Sequence, residues 1–381
     1  MSASSEHAVA ADYLFDGAVV RRNAAVVIEG ARIKAVLPRN ELPVSTPVRT
    51  MPASAWLAPG FIDVQVNGGG DVLFNDLPTP EGIRTIARAH RRFGTTALLP
   101  TLISDTTEKM RAALTAVEQM VEVEPSIVGI HIEGPFLSPE KPGVHSLRYI
   151  RRPNSEDAAM LAAARRGVTV VTLAPEQVPS GFIRQLTDAG VRVCLGHSMA
   201  SYAQTRAAMA EGMTGFTHLF NAMRPLAARD GGPIVAALES PDCWFGMIVD
   251  GVHVEPAVLR LALRGLARPM LVTDAMPPLG GTRSSFALYG EEIAVKAGRC
   301  LRQDGTLAGA VLDMASAVRN CVALLGVPLE TALRFASAHP ASFLGVDGWL
   351  GQLAPGYRAD MIALEPASVT ILATWTAGEP Q

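Results

Sequence analysis

The stretch VRVCLGHSMASYAQTRAAMAEGMTGFTHLFN, residues 191–221, decides the fold of this chain. A short apolar run ends at His197, a helical segment follows, and a second short apolar run ends at His218. This order predicts a βαβ unit, in which the carboxyl ends of both strands lie side by side on one face of a parallel sheet. Two neutral imidazoles at adjacent strand ends can share one metal ion, and two satisfied core histidines are the alternative.

The composition is that of a globular protein. The chain has 381 residues, 49% of them hydrophobic and 18% charged, which is enough for one large domain and a smaller one. The net charge of −3 and the lack of Lys/Arg runs argue against a nucleic-acid partner. Four cysteines without C-x-x-C spacing indicate reduced thiols and a cytoplasmic location. We expect no membrane partner, because no apolar run could span a bilayer and the first residues lack signal-peptide features.

Both ends of the chain have the pattern of short β-strands. Residues 12–51 alternate apolar runs with turns, and residues 357–375 contain the runs ADMIALEP and VTILATW. Neither end can form a stable core alone. We therefore expect residues 1–58 and 350–381 to pair into one small β-sandwich domain, with residues 59–349 inserted between them as a larger domain.

The middle of the chain has the rhythm of βα units, with apolar runs of strand length about every thirty residues. The eight runs are residues 61–66, 96–99, 127–133, 168–173, 191–196, 215–218, 245–249 and 270–274. Helical patterns lie between them, so we predict an α/β protein with a closed, TIM-like (β/α)8 barrel. A doubly wound open sheet is the alternative, but no Gly-x-Gly-x-x-Gly turn follows the first run.

In such a barrel the active-site residues lie at the carboxyl ends of the strands. The polar residues at the predicted strand ends are Asp63, Gln65 and Asn67; His131 and Glu133; His197; His218 and Asn221; Asp250 and His253; and Asp274. Glu133, His197 and His218 supply one oxygen and two nitrogens, which is the donor set of a catalytic metal site with an open position for water. Zn²⁺ is the first expectation, and Fe²⁺, Mn²⁺ and Co²⁺ also suit these donors.

Asp274 would stand beside the bound water as general base, since a metal lowers the pKa of that water towards 7. Taken alone, Asp274 could equally be a helix-cap or ion-paired aspartate. Glu133 could be a paired structural carboxylate, because a buried carboxylate needs some cation. For His131, on the same strand face as Glu133, we predict hydrogen bonding near the site and no ligand role.

Several motifs occur in the order of a known family. The segments PGFID at residues 59–63 and PGYRAD at residues 355–360 resemble the amidohydrolase superfamily. Within it, PGFIDVQVNG, HIEGPF, LGHS, THLFNAM, DGVHV, LVTDAM and LAGA closely resemble the N-acetylglucosamine-6-phosphate deacetylases, in order over nearly the whole chain. This resemblance implies a hydrolase of a linear amide C–N bond in amino-sugar metabolism. The expected reaction converts N-acetyl-D-glucosamine 6-phosphate and water into D-glucosamine 6-phosphate and acetate.

The resemblance also implies roles for single residues. One divalent metal per subunit would be held by Glu133, His197 and His218. His145 would polarise the substrate carbonyl and stabilise the oxyanion, and Asp274 would return the proton to the leaving amine. The residues implied in sugar and phosphate binding are Asn221, Ala222, Leu307, Ala308 and Gly309 for the sugar, and Arg229 and His253 for the phosphate. Arg224 is a competitor for the phosphate, and a homodimer with phosphate contacts across its interface is expected.

The chain departs from the superfamily pattern in the first strand. Many relatives carry His-x-His there, whereas this chain has Gln65 and Asn67 as the remnant of a second metal site. Amides are poor metal ligands, so tight binding of a second ion is not expected, and weak binding at this second site is left open. Another amidohydrolase activity, cyclic-amide hydrolysis or deamination, is the alternative function, although the fourth run lacks the lysine those enzymes often carry. A non-catalytic sugar-phosphate-binding relative ranks lower, because the metal set is complete.

Overall fold

The computed structural model describes residues 6–163 and 165–381. The strands in this part of the chain are β1 His7–Phe15, β2 Val20–Glu29, β3 Arg32–Pro38, β4 Val48–Thr50, β5 Trp56–Pro59, β6 Phe61–Val66, β7 Gly68–Gly69, β8 Val72–Leu73, β9 Thr95–Ile103, β10 Gly129–Glu133, β11 Val168–Leu173, β12 Arg192–Leu195, β13 Gly215–Phe216, β14 Trp244–Met247, β15 Arg268–Leu271, β16 Ser285–Leu288, β17 Glu291–Lys296, β18 Arg299–Leu301, β19 Leu307–Ala310, β20 Met361–Glu365, β21 Thr370–Thr376 and β22 Glu379–Pro380. The α-helices are α1 Pro80–Arg91, α2 Thr107–Met120, α3 Asp157–Ala162, α4 Phe182–Asp188, α5 Tyr202–Ala210, α6 Gly232–Leu238, α7 Pro256–Ala262, α8 Met314–Leu325, α9 Leu329–Phe335 and α10 Ala338–Leu344.

The chain divides into two compact units. The first contains the residues as far as Asp63, residues 90–97 and residues 313–381, and the second contains residues 64–89 and 98–312. Domain limits at residues 58 and 350 stay a prediction.

Both chain ends contribute to one sheet in the first unit, as predicted. Its strand order is β22-β21-β20-β5-β1-β2-β3, and β4 pairs with β1. The C-terminal strand β20 runs antiparallel to β5, with Met361 opposite Pro59. The buried side chains that stabilise this sheet include Val9, Leu14, Val26, Ile28, Ile33, Leu57, Met361 and Trp375. Neither end has enough apolar surface by itself, so the sheet depends on strands from both.

The second sheet is the predicted barrel. Its order is β15-β14-β13-β12-β11-β10-β9-β6, and the six pairs from β9 to β15 are parallel. A parallel bridge between Val66 and Ala275 joins the first strand to the chain after the last one. Each strand is followed by an α-helix, from α1 after β6 to α8 after β15. The fold is therefore a nearly closed TIM-like barrel, and the open doubly wound alternative was wrong.

The second barrel strand is longer than the sequence predicted. Strand β9 continues to Ile103 through Pro100, and all nine of its residues are buried. The predicted run stopped at residue 99, directly before Pro100, and proline is uncommon inside a strand because it cannot donate to the sheet. Helix α2 then begins after Thr106, whose hydroxyl accepts from the backbone N–H of Lys109. The barrel edge at this point therefore lies about four residues later than expected.

A four-stranded antiparallel sheet, β16-β17-β18-β19, is inserted after the eighth barrel strand. Its apolar side chains Phe286, Leu288 and Ile293 pack with Ile103 and Met276 in one buried cluster. The insert is thereby attached to the carboxyl ends of two barrel strands. Among the described residues, no helix has the length and apolar character needed to cross a bilayer.

Candidate active site

Three of the predicted site residues follow barrel strands in left-handed backbone conformation. The φ angles are 49° at His197, 32° at His218 and 49° at Asp274. Residues other than glycine rarely adopt positive φ, and such strained positions concentrate at functional sites. The backbone is therefore strained at the three predicted site residues that follow β12, β13 and β15.

The side chains of Glu133, His197 and His218 converge on one buried point. Nε2 of His197 lies 3.2 Å from Oε1 of Glu133, and Nε2 of His218 lies 3.0 Å from the same oxygen. The two Nε2 atoms are 3.1 Å apart. Ligand atoms of a tetrahedral zinc ion are separated by roughly 3.3 Å, as follows from bond lengths of about 2.0–2.1 Å. The three atoms thus have the spacing of one face of a metal coordination shell.

The protonation pattern of His197 also fits a metal ligand. Its Nδ1 lies 2.9 Å from the backbone oxygen of Lys141, which can only accept, so Nδ1 donates. In a neutral ring, Nε2 then presents a lone pair to the carboxylate of Glu133 and to Nε2 of His218. Two electron-rich atoms in contact need a cation between them. The cluster therefore fits a divalent metal ion. Its three potential ligand atoms lie within 4.8 Å of one another.

Electrostatics keep Glu133 ionised. Burial alone would raise the pKa of this carboxyl, but the neighbouring imidazoles of His197 and His218 outweigh burial and hold the pKa well below its ordinary value. The negative charge therefore stays at the centre of the cluster, where a cation would bind.

Gln65 and Asn67 turn their amide groups towards the acids. Nε2 of Gln65 lies 3.2 Å from Oε2 of Glu133 and 3.2 Å from Oδ1 of Asp274, and Nδ2 of Asn67 lies 2.6 Å from Oδ1 of Asp274. A carboxylate accepts hydrogen bonds, so these amides act as donors. Donor groups do not ligate metals, and in this arrangement the two amides orient carboxylates.

Asp274 lies beside the cluster as a half-buried acid. Burial and the neighbouring charge of Glu133 raise the pKa of Asp274 above its ordinary value. A carboxyl with a raised pKa is better suited to accepting and returning a proton near neutral pH. His145 is also buried, and burial together with the nearby His197 lowers its pKa well below the ordinary value. This ring is therefore neutral.

One cavity contains most of the predicted residues. It is lined by Asn67, Ile103, Glu133, Gly143, Val144, His145, His197, His218, Asn221, Ala222, His253, Asp274, Met276, Leu307 and Gly309. Ala308 is buried behind this wall. Arg229 is exposed and does not line the cavity. Arg224 pairs with Asp230 at 3.0 Å, so its charge is already partnered.

His253 is held by the acid three residues before it. Its Nδ1 lies 2.6 Å from Oδ2 of Asp250, and Oδ1 of Asp250 accepts from the backbone N–H groups of Val252 and His253. This pairing directs the other ring nitrogen away from Asp250. The result is an imidazole of fixed orientation on the cavity wall.

Two residues that support His145, one directly and one through the other, were missed from sequence. The hydroxyl of Ser104 lies 2.8 Å from Nδ1 of His145, and Tyr289 donates to the backbone oxygen of Ser104 at 2.5 Å. Ser104 follows β9 directly, so the search for polar strand ends would have found it had the strand been extended through Pro100. No sequence signal marked Tyr289, which lies in the insert.

Comparison with known proteins agrees with this geometry. Residues 56–381 match the sequence profile of the amidohydrolase family. An N-acetylgalactosamine-6-phosphate deacetylase from Shewanella sp. (strain ANA-3) is 42% identical over 330 residues, covering 86% of this chain and 83% of the relative. An N-acetylglucosamine-6-phosphate deacetylase from Haemophilus influenzae is 35% identical over 354 residues, covering 91% and 92%.

Solved structures give the same result. The N-acetylglucosamine-6-phosphate deacetylase from Pasteurella multocida superposes with a TM-score of 0.95 at 33% identity, over 99% of both chains. A D267A mutant of the enzyme from Mycobacterium smegmatis, in complex with N-acetyl-D-glucosamine-6-phosphate, gives 0.90 at 34% identity over 99% of both chains. The chain therefore belongs to the amidohydrolase family of hydrolases, among the relatives of the N-acetylglucosamine- and N-acetylgalactosamine-6-phosphate deacetylases.

Proposed function

We propose that this chain hydrolyses the acetamido group of N-acetyl-D-glucosamine 6-phosphate and releases acetate and D-glucosamine 6-phosphate. The observation that carries the proposal is the convergence of Glu133, His197 and His218 next to Asp274 in one cavity. The relatives with 35% and 42% identity are deacetylases of amino-sugar 6-phosphates, which supports the same reaction class here.

The cofactor in this proposal is one divalent ion per subunit, with zinc first and iron, manganese or cobalt as alternatives. Two imidazole nitrogens and one carboxylate oxygen suit these ions, and they leave a position open for substrate. When bound, such an ion supplies Lewis-acid polarisation of the amide carbonyl and a water nucleophile at neutral pH.

The protein groups carry the proton transfers. Asp274 takes the proton from the attacking water and later returns it to the nitrogen of the leaving amine, so that the C–N bond breaks without forming an amide anion. Asn67 and Gln65 donate to Oδ1 of Asp274, which leaves Oδ2 available for this proton. His145 donates a hydrogen bond to the carbonyl oxygen as negative charge develops on it.

The rest of the cavity would bind the sugar phosphate. Asn221, Ala222, Leu307 and Gly309 line it, with Ala308 behind them, and we assign this wall to the sugar. His253, oriented by Asp250, and Arg229 are assigned to the phosphate. A guanidinium suits this role because its fork of donors matches phosphate oxygens.

The direct test is acetate release by the metal-analysed protein from the 6-phosphate and from the unphosphorylated sugar. We expect kcat/KM to be about 10³-fold higher for the 6-phosphate, since two charge-assisted contacts contribute about 2 kcal/mol each. Asp274→Asn should retain the metal and lose about 10²–10⁴ in kcat. Activity on cyclic amides or amino-purines instead would favour the other amidohydrolase functions, and absence of both metal and turnover would favour a binding protein.

The galactosamine isomer is a second candidate substrate. It is favoured by the 42% identity to an N-acetylgalactosamine-6-phosphate deacetylase, which exceeds the 35% identity to the Haemophilus influenzae enzyme. The same acetate assay on both 6-phosphates gives the ratio of their kcat/KM values. A ratio above one for the galactosamine isomer would make it the preferred substrate.

A homodimer is part of the proposal. Arg229 is exposed and lies off the cavity wall of its own chain, which supports a role in the site of a second copy. Complementation tests this. A hybrid of an Asp274→Asn chain and an Arg229→Ala chain should recover about half of the wild-type activity, because one of its two sites is intact. If Arg229 acted within its own chain, the hybrid would be as inactive as both parents.

We also propose a cytoplasmic location. The four cysteines Cys194, Cys243, Cys300 and Cys321 are free and buried, as is usual in a reducing compartment.

A further inference from the structure

His145 has one ring nitrogen tied to the protein and one directed to the cavity. Its Nδ1 accepts from the backbone N–H of Ser104 at 3.2 Å and lies 2.8 Å from the hydroxyl of the same residue. Nε2 of His145 has no hydrogen-bond partner among the described residues, and the ring lines the cavity. The contacts of Nδ1 with Ser104 therefore orient the ring, and Nε2 remains available to a ligand in the cavity.

The backbone N–H identifies the tautomer. An amide N–H can only donate, so Nδ1 of His145 carries a lone pair and no proton. A neutral imidazole then has its proton on Nε2. The hydroxyl of Ser104 can donate to the same lone pair, which strengthens the preference. His145 therefore presents an N–H donor to the cavity.

The position of Ser104 is itself supported from two sides. Tyr289, in the inserted sheet, donates to the backbone oxygen of Ser104 at 2.5 Å. On the other side lies Gly134, where a Cβ atom would come within 2.2 Å of the Ser104 hydroxyl oxygen. Gly134 has a φ of 82°, so a side chain is disfavoured there by conformation as well as by space. The serine hydroxyl is packed into a site that only glycine leaves open.

We infer that Ser104 is a positioning residue, which holds His145 in the Nε2–H tautomer, and that Tyr289 couples the inserted sheet to this contact. The inference rests on the proposed function for its effect on rate, because a hydrogen-bond donor is useful where an amide carbonyl gains negative charge. The tautomer itself is a property of the chain and needs no substrate.

The first experiment is NMR of the ring nitrogens after selective ¹⁵N-histidine labelling. The chain has 8 histidines, and the signals of His145 are identified by their loss in His145→Gln. In the wild-type protein we expect a protonated Nε2 and an unprotonated Nδ1. In Ser104→Ala, which keeps the backbone N–H but lacks the hydroxyl, we expect the Nδ1 signal to shift because its lone pair loses one of two donors, while Nε2 stays protonated. Tyr289→Phe should shift the same signal by a smaller amount.

The second readout is kinetic. We expect Ser104→Ala to lower kcat about tenfold with little change in KM, in line with the effect of orienting contacts behind functional side chains. Ser240→Ala is the matched control. It also removes a buried hydroxyl, which donates to the backbone oxygen of Ala236, and neither residue lines the cavity. It should leave the ring nitrogens of His145 unchanged.

A wild-type His145 with its proton on Nδ1 would overturn the inference. So would Ser104→Ala with unchanged ring-nitrogen signals, and Tyr289→Phe provides the same test if Ser104→Ala does not fold. Failure of the proposed function has a different signature: no acetate would be released from either 6-phosphate, while the NMR result would still report the tautomer.

Discussion

Two groups of polar side chains in the barrel differ in how their hydrogen bonds are satisfied, although strand β10 contributes to both. The mouth cluster consists of Glu133, His197, His218 and Asp274. The floor network consists of His131, Thr172, Thr217 and the backbone oxygen of Val64. Strand β10 supplies Glu133 to the first group and His131 to the second, two residues apart on the same face.

Every hydrogen bond of the floor network has a donor and an acceptor. Nδ1 of His131 donates to the oxygen of Val64 at 2.9 Å, so Nε2 accepts from Thr172 at 2.7 Å. Thr172 in turn accepts from Thr217 at 2.6 Å. Burial lowers the pKa of His131, and the ring stays neutral. The predicted contact of His131 with the site is therefore indirect, through the strands that it joins.

The mouth cluster has similar distances but an excess of acceptors. Oε1 of Glu133 and the lone pair of Nε2 on His197 face each other at 3.2 Å. Nδ1 of His218 is buried and has no hydrogen-bond partner among residues 6–163 and 165–381. Three of the four residues have positive φ. The histidines of both groups are buried, and what differs between the groups is hydrogen-bond satisfaction and backbone strain. These two properties distinguish a binding site from a structural histidine.

The largest effect should follow from the central charge of the mouth cluster. Glu133→Gln keeps the shape of the side chain but removes the negative charge, so we expect loss of stoichiometric metal. Activity should fall by at least about 10³-fold, which corresponds to about 4 kcal/mol of transition-state stabilisation. Metal analysis together with the acetate assay measures both. A variant that retains metal and rate would show that the cluster is structural.

The matching change in the floor network is His131→Leu. It should cost on the order of 3 kcal/mol of unfolding free energy, because the oxygen of Val64 and the hydroxyl of Thr172 lose their partner in the interior. Urea unfolding of the metal-free protein measures this without a contribution from metal binding. The folded variant should still bind metal. Loss of metal at unchanged stability would mean that His131 belongs to the site, contrary to the comparison.

A smaller effect is expected for Thr172→Val, which has nearly the same shape. The substitution removes a donor to His131 and an acceptor for Thr217, so about 1–2 kcal/mol of unfolding free energy should be lost. The control is Thr370→Val, on an exposed position of β21, which should change the unfolding free energy by less than about 0.5 kcal/mol. Equal costs at both positions would contradict the importance of the network.

The smallest effect concerns the thiol next to the floor network. Burial raises the pKa of Cys194 to about 12, outweighing a hydrogen bond with Thr217. We expect no reaction of Cys194 with a disulfide reagent at pH 8 in the native protein, and full reaction in urea. Thr172→Val should accelerate the native reaction up to about tenfold, since a change of 1.4 kcal/mol in opening free energy is a factor of ten. Rapid labelling of wild-type Cys194 would show that the reagent reaches this thiol in the native protein, which would contradict its burial.

Much of the fold was predictable, because strand and helix periodicity is local. The eight predicted runs overlap the eight barrel strands, and the ends of the chain pair in one sheet as expected. The convergence of Glu133, His197 and His218 was also predictable, since parallel strands bring their carboxyl ends to one edge and all three residues stand at such ends. The second predicted run ended at residue 99, whereas β9 continues through Pro100 to Ile103.

Contacts between distant segments were decided by the tertiary structure. Ser104 and His145 are separated by 41 residues, and Tyr289 and Ser104 by 185. No pattern in the chain indicates which nitrogen of His145 accepts, or that Gln65 and Asn67 turn their donors to carboxylates. The sequence by itself determined which residue types reach the barrel mouth. Which atoms face one another there depends on side-chain direction and backbone strain, and both arise only when separate strands close into the barrel.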